Sequence, residues 1–273
     1  MLLVVNMVPG IILKACIFII VFLIGAVVFS FLNVVIARLP VEDGEKISTG
    51  RSKCTHCGHE WRIRESIPIF SWLYNKRKCV YCFETISPRY TLVELLGGIL
   101  AVSVVVYYGL SPEALTLFLV YCILTTIAFI DADTQYIPPV LNIILAVLGV
   151  ISIWTLPGPG LLERVIGVFC ISVPLLLIVL IIPGGFGGGD IKMMAAAGVL
   201  LGWKANVAAF LIGVILGGVY GIYVLVTKKK GRKDHFAFGP FLSIGIAVAA
   251  YGGFGTYIVD LYLNMIKGIM VLV

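Results

Sequence analysis

The chain has 273 residues, 60% of them hydrophobic and only 12% charged, with a formal net charge of +6 and a mean hydropathy of +1.10. Soluble chains run at roughly 45–50% apolar and about 25% charged, so a soluble domain is excluded and a polytopic helical membrane protein is expected. The basic balance calls for no nucleic-acid partner, because the cationic residues gather where membrane topology would put them.

The first apolar run, residues 11–36, is interrupted only by Lys14. It exceeds the ~20 apolar residues that cross a bilayer. It is too long for the core of a signal peptide and lacks a basic segment before it, so it reads as a retained helix. Ten of the 20 Lys and Arg residues fall between Arg38 and Arg89, which places the segment after this helix in the cytoplasm by the positive-inside bias.

Within that segment stand two C-x-x-C pairs, CTHC (Cys54, Cys57) and CVYC (Cys79, Cys82). Four thiolates suffice to close a tetrahedral zinc site, and such a closed site has a structural role, with no open position for water. The other readings are two disulfides, which a cytoplasmic location disfavours, or two unrelated redox motifs. His56 and His59 beside the first pair are expected to face solvent. A unit of this size buries little core, so a metal would staple it. The remaining cysteines, Cys16, Cys122 and Cys170, stand singly in apolar runs and read as small buried hydrophobes.

Further spans are expected at about 90–109, 114–131, 137–156, 161–182, 189–202, 205–226 and 239–260. The fold class is therefore all-α, a polytopic membrane protein of about eight transmembrane helices with a small cytoplasmic zinc-binding insertion. The tail 261–273 is a candidate for lying along the surface. A second basic cluster, Lys228, Lys229, Lys230, Arg232 and Lys233, falls in the loop 227–238. Both basic segments lie on the cytoplasmic side of an eight-span topology, with the N-terminus outside. Anionic lipid at the inner surface would complement them.

That topology brings two acidic sites to one membrane edge. The third span ends at Asp131 and Asp133, and the sixth begins at Asp190, behind the stretch GGFGGGD. Taken singly, each aspartate could be a helix boundary, with Asp190 an N-cap. Taken as a pair, two adjacent carboxylates cannot both ionise cheaply, so they share a proton in the manner of an aspartic protease. The glycines, Gly187 to Gly189, would let a substrate backbone approach. Lys192 could pair with Asp190, meet a substrate carboxylate, or snorkel toward the headgroups.

The chain resembles the type IV prepilin peptidases, also called leader peptidase/N-methyltransferases, of the GxGD class of membrane aspartic proteases. The resemblance rests on FSFLNVVIARLP (29–40), the two cysteine pairs, ESIPIFSWL (65–73), ISPRYTLVELLGG (86–98), FIDADTQYIP (129–138) and GGGDIKMMAAAG (187–198), and it covers nearly the whole chain. It implies removal of a short basic leader from prepilins and pseudopilins, the precursors of type IV pili and of protein-secretion machinery. It also implies methylation of the new N-terminus with S-adenosylmethionine, in the bacterial inner membrane with the active sites facing the cytoplasm.

By motif position the catalytic pair would be Asp131 and Asp190, not Asp133, with Gly187, Gly189 and Lys192 in the active-site loop. Cys54, Cys57, Cys79 and Cys82 fall on the zinc positions. The implied organisation is a first helix at 1–37, a zinc-binding segment associated with methylation at 38–89, and a peptidase domain at 90–273. Two departures stand out: Pro139 where Asp or Asn is common, and Thr91 where Pro is common. No glycine-rich nucleotide loop marks a methyl-donor site. Glu65 and Glu94 are candidates for holding the substrate amine, or for simple interfacial solvation. Two other readings are a peptidase alone, whose zinc unit recognises substrate, and a proton-coupled transporter. The transporter reading lacks the internal repeat expected of it.

Overall fold

The computed structural model describes residues 2–40, 54, 56–60, 78–85, 87–182, 186–227 and 237–271. The chain divides into two compact units, Met1–Leu110 and Ser111–Val273.

The first unit pairs α1 (Leu2–Arg38) with α2 (Pro88–Tyr108). In lipid the tails are as apolar as leucine, so helices associate through close backbone approach and internal hydrogen bonds rather than through hydrophobicity. The Leu-Leu-Gly-Gly run of α2 supplies the approach: a side chain on Gly97 would meet the ring of Phe29, and one on Gly98 the ring of Phe22, both on α1. Two polar ties flank this contact. Ser30 Oγ donates to Glu94 Oε1 at 2.6 Å, and Asn33 Nδ2 to the Tyr90 carbonyl at 3.1 Å. The start of α2 is set by Ser87, whose hydroxyl accepts from the Arg89 N–H, and by Pro88 in the first turn.

The second unit contains α3 (Pro112–Thr134), α4 (Pro139–Thr155), α5 (Leu161–Ile181), α6 (Gly188–Val226), α7 (Gly239–Ala250) and α8 (Phe254–Val271), with a 3-10 turn at Tyr251–Gly253 before α8. Ser111, Pro112 and Glu113 start α3 as cap, first-turn proline and first-turn acid. The long helix α6 is central: α4, α5, α7 and α8 all pack on it. Its seams are again small residues. A Cβ on Gly167 of α5 would lie 2.7 Å from the Gly198 carbonyl of α6. One on Gly255 of α8 would lie 2.8 Å from the Ala249 side chain and 2.9 Å from that of Ala205. Leu117, Leu124, Ile127 and Ile130 of α3, Met193 and Met194 of α6, and Leu242 and Ile246 of α7 form the fully buried centre.

Six helical stretches among the described residues are long and apolar enough to cross a membrane, and Pro139–Thr155 is a shorter apolar helix. The expectation of about eight spans differs from this at two places. Residues 189–202 and 205–226 belong to the single 39-residue α6, which is interrupted where Gly202 leaves the helical region with φ 69° and ψ 176°. Only glycine adopts that conformation without strain. The expected last span, 239–260, is broken at Tyr251–Gly253, and its continuation as α8 runs to Val271, so residues 261–271 extend a helix rather than begin a separate tail.

Candidate active site and cysteine centre

Three helix ends converge in the second unit: the C-terminal end of α3 with Asp131, and the N-terminal ends of α6 with Asp190 and of α7 with Gly239. Asp131 is 6% exposed and Asp190 7%, and the two lie close enough for Asp131 to act coulombically on Asp190. Each carboxylate accepts a hydrogen bond from a glycine N–H. Gly239 donates to Asp131 Oδ2 at 2.8 Å, and Gly187 to Asp190 Oδ2 at 3.3 Å. Helix N-termini expose unpaired N–H groups and the positive end of the macrodipole, so both acids are held where negative charge is favoured. Asp133 is exposed on the last turn of α3.

The glycines before Asp190 have separate reasons to lack a side chain. A Cβ on Gly187 would stand 3.2 Å from Asp190 Oδ2, and one on Gly189 would stand 2.9 Å from the Ile137 Cβ, whereas Gly188 meets nothing within 4 Å. The sequence suggested that all of them open to a substrate backbone. In the structure Gly188 alone borders open space, and Gly189 is small because Ile137, just before α4, packs against it. Asn142 of α4 reinforces that contact by donating from Nδ2 to the Gly189 carbonyl at 3.3 Å. Lys192 is exposed, and the hydrogen bond of Asp190 goes to Gly187, not to Lys192.

Several of these residues escaped the reading of the sequence: Gly239, Ile137, Asn142 and the phenylalanines that precede Gly187 and Gly239. One signal was present in the chain, a Phe-Gly dipeptide at 186–187 that recurs at 238–239, and again at 254–255 away from either aspartate.

In the first unit, Cys54, Cys57, Cys79 and Cys82 come together with all four Sγ atoms within 4.8 Å of one another. The Cys54–Cys82 separation is 3.8 Å and the Cys57–Cys79 separation 3.9 Å. A tetrahedral ion with metal–sulfur bonds of about 2.3 Å needs sulfurs roughly 3.8 Å apart, so these thiols fit one. The two loops are built alike. Gly58 N–H returns to the Cys54 carbonyl at 2.9 Å and Phe83 N–H to the Cys79 carbonyl at 3.0 Å, with Gly58 at φ 70° and Phe83 at φ 58°. Backbone N–H donors from Cys57 and His56 lower the Cys54 thiol to about 6. At Cys82 a backbone hydrogen bond at Glu84 is outweighed by burial and the three neighbouring thiols, which push it up to about 12, so without a cation the four do not all ionise together. His59 stacks on Tyr81 with ring centroids 3.5 Å apart, outside the set of four sulfurs. In the same unit Glu94 is buried against Ser30. Glu65, Gly184, Gly185 and the basic cluster 228–233 lie outside the described residues.

Comparison with known proteins bears on both units. Residues 23–108 match the bacterial peptidase A24 N-terminal domain, and residues 118–222 match the type IV leader peptidase family. A prepilin leader peptidase/N-methyltransferase of Burkholderia pseudomallei (strain K96243) is 31% identical over 268 residues, covering 86% of this chain and 85% of its own. One of Aeromonas salmonicida (strain A449) is 33% identical over 266 residues, with 86% and 91% covered. One of Bacillus subtilis (strain 168) is 31% identical over 255 residues, with 91% and 99% covered. No solved structure matches the chain. Matching along both units, with most of this chain and of each relative covered, places the chain in the prepilin leader peptidase/N-methyltransferase family.

Proposed function

We propose that the protein cleaves the leader peptide from prepilins or pseudopilins and methylates the N-terminus so exposed, a reading supported by relatives named prepilin leader peptidase/N-methyltransferase. The observation that carries the peptidase half is that Asp131 and Asp190, both buried, lie within electrostatic reach of each other at three helix ends. The pair shares one proton. The ionised carboxylate takes a proton from water as the water oxygen bonds to the scissile carbonyl carbon, and the protonated carboxyl gives its proton to the carbonyl oxygen. Collapse of the tetrahedral intermediate breaks the C–N bond. The proton gained by the first carboxylate passes to the leaving amine, and the hydroxyl proton returns to the second.

Zinc is the metal that suits the four thiols, with Cys54, Cys57, Cys79 and Cys82 as its ligands. It would cross-link the two cysteine loops as a structural staple, consistent with a segment 38–89 serving methylation while residues 90–273 house the peptidase. S-adenosylmethionine supplies the methyl group. The basic segments 38–89 and 227–238 support an inner-membrane topology with both activities facing the cytoplasm, where the substrate's apolar helix already lies in lipid.

The test replaces Asp131, Asp133 and Asp190 singly by Asn in the detergent-purified protein. Cleavage of a prepilin-like substrate and methyl transfer to an already cleaved one are measured separately. Loss of cleavage at 131 and 190, with cleavage kept at 133 and methylation kept in all three, is expected. Cleavage surviving Asp190→Asn would discard the dyad and return the glycine loop to another purpose.

A further inference from the structure

The Phe-Gly dipeptides at 186–187 and 238–239 do the same thing at the two halves of the site. Gly187 N–H donates to Asp190, and Gly239 N–H donates to Asp131. A Cβ at Gly239 would fall 2.7 Å from Asp131 Oδ2, and one at Gly187 would make a tight contact of 3.2 Å with Asp190 Oδ2. The phenylalanines immediately before them touch each other. The rings of Phe186 and Phe238 lie 5.6 Å apart at an interplanar angle of 64°, the edge-to-face arrangement that aromatic pairs prefer. Phe238 is seated in turn on α6, where a Cβ on Gly217 would meet its ring at 2.8 Å.

A carboxylate oriented by a backbone N–H moves with that backbone. Asp190 therefore follows the residue after Phe186, and Asp131 follows the residue after Phe238. The ring contact ties these two backbones together, and Gly217 anchors the tie to the body of α6. We propose that Phe186 and Phe238 form an aromatic clasp that sets the spacing of the two aspartates, acting as positioning residues that do not themselves react. This rests on the dyad reading above and adds to it the device that holds the pair at working distance.

The experiment is a double-mutant cycle on the full-length protein in detergent, with Phe186→Leu, Phe238→Leu and the double variant. Leucine keeps the apolar volume and removes the ring edge. Leader cleavage is resolved into kcat and KM, and the denaturation midpoint in detergent reports that each variant is folded. Misplacing a reacting group by about 1 Å costs up to ~10²-fold, so each single change should lower kcat on that scale with KM little altered. Because either change alone opens the clasp, the double variant should match the worse single to within about twofold. Phe186→Tyr and Phe238→Tyr, which keep a ring, should restore kcat.

The proposal is overturned if folded leucine variants cleave at the parent rate. It is equally overturned if the two effects multiply and fall on KM, the behaviour of two side chains that merely line a substrate path. Should the leucine variants lower the denaturation midpoint as well, the tyrosine variants decide: folded tyrosine variants with the parent kcat support the clasp, and folded ones with depressed kcat refute it. Failure of the dyad itself would look different, with Asp131→Asn or Asp190→Asn retaining cleavage whatever happens at the phenylalanines.

Discussion

Replacing Arg164 by Met should loosen the helix that carries Asp190 from its far end. The Gly202 break makes residues 188–201 a short helix of their own, whose last carbonyls have no intrahelical partner. Arg164 of α5 is 4% exposed and answers that need. Its Nη1 donates to the Val199 carbonyl at 2.7 Å and to the Leu200 carbonyl at 3.2 Å. The same nitrogen reaches Ser152 Oγ of α4 at 2.7 Å, and Nε reaches the Pro159 carbonyl at 3.1 Å. The charge sits in the first turn of its own helix, where the macrodipole disfavours it, yet at the C-terminal ends of two others, where it is favoured. Methionine fills the space without the donors. Each buried carbonyl left unpaired costs about 1–3 kcal/mol, so the Val199 and Leu200 carbonyls together predict a loss of roughly 2–6 kcal/mol. Denaturation in detergent reads the stability, and leader-cleavage kcat reads the displacement of Asp190. Arg164→Lys, with one compact ammonium in place of a planar fork, should fall between parent and Met. An Arg164→Met protein within about 1 kcal/mol of the parent and with normal kcat would refute the capping argument.

Removing the metal should separate the two activities. A chelator, or Cys54→Ser with Cys79→Ser, is expected to abolish bound zinc, measured by elemental analysis at about one ion per chain in the parent, and to abolish methyl transfer while leaving leader cleavage intact. Cleavage lost in step with zinc would instead assign the cysteine centre to substrate recognition. Gly198→Val should fail as a membrane helix contact, since a side chain at Gly198 runs into the Gly167 backbone of α5. Overpacking of this kind costs about 1–3 kcal/mol or more, visible as a lowered denaturation midpoint, whereas Gly218→Val, with nothing within 4 Å of its Cβ position, should be neutral.

The helices were legible in the sequence because length and hydropathy alone mark a membrane span. Their packing was not. In a soluble helix an apolar stripe identifies the buried face, but here the lipid face is as apolar as the core. Leu180 is 70% exposed and Leu175 of the same helix 1%, and nothing in their chemistry tells them apart. The information about which faces meet resides in Gly97, Gly98, Gly167, Gly198 and Gly255, and a glycine in an apolar run reads locally as a weakness in the helix rather than as a contact. The glycine at 202 ends the expected sixth span at the right residue for that local reason, while the carbonyls it frees are met by Arg164, which the reading of the sequence did not single out.

The two centres divide along the same line. Four cysteines announce themselves because the C-x-x-C spacing fixes each loop locally, and only the joining of the two loops is long-range. The aspartates were found through topology, which brings Asp131 and Asp190 to one edge without saying what holds either. That holding is done by backbone N–H groups, which every residue but proline possesses, so no residue type could signal them. Gly239 serves Asp131 across 108 positions of sequence. What the chain did write down is a Phe-Gly at each donor, and since the dipeptide also occurs at 254–255, it acquires meaning only once the fold sets two of its copies side by side. In this membrane protein, the side chains proposed to be catalytic are therefore the readable part of the site. The parts that aim them are small, apolar or main-chain, and only the assembled helix ends reveal them.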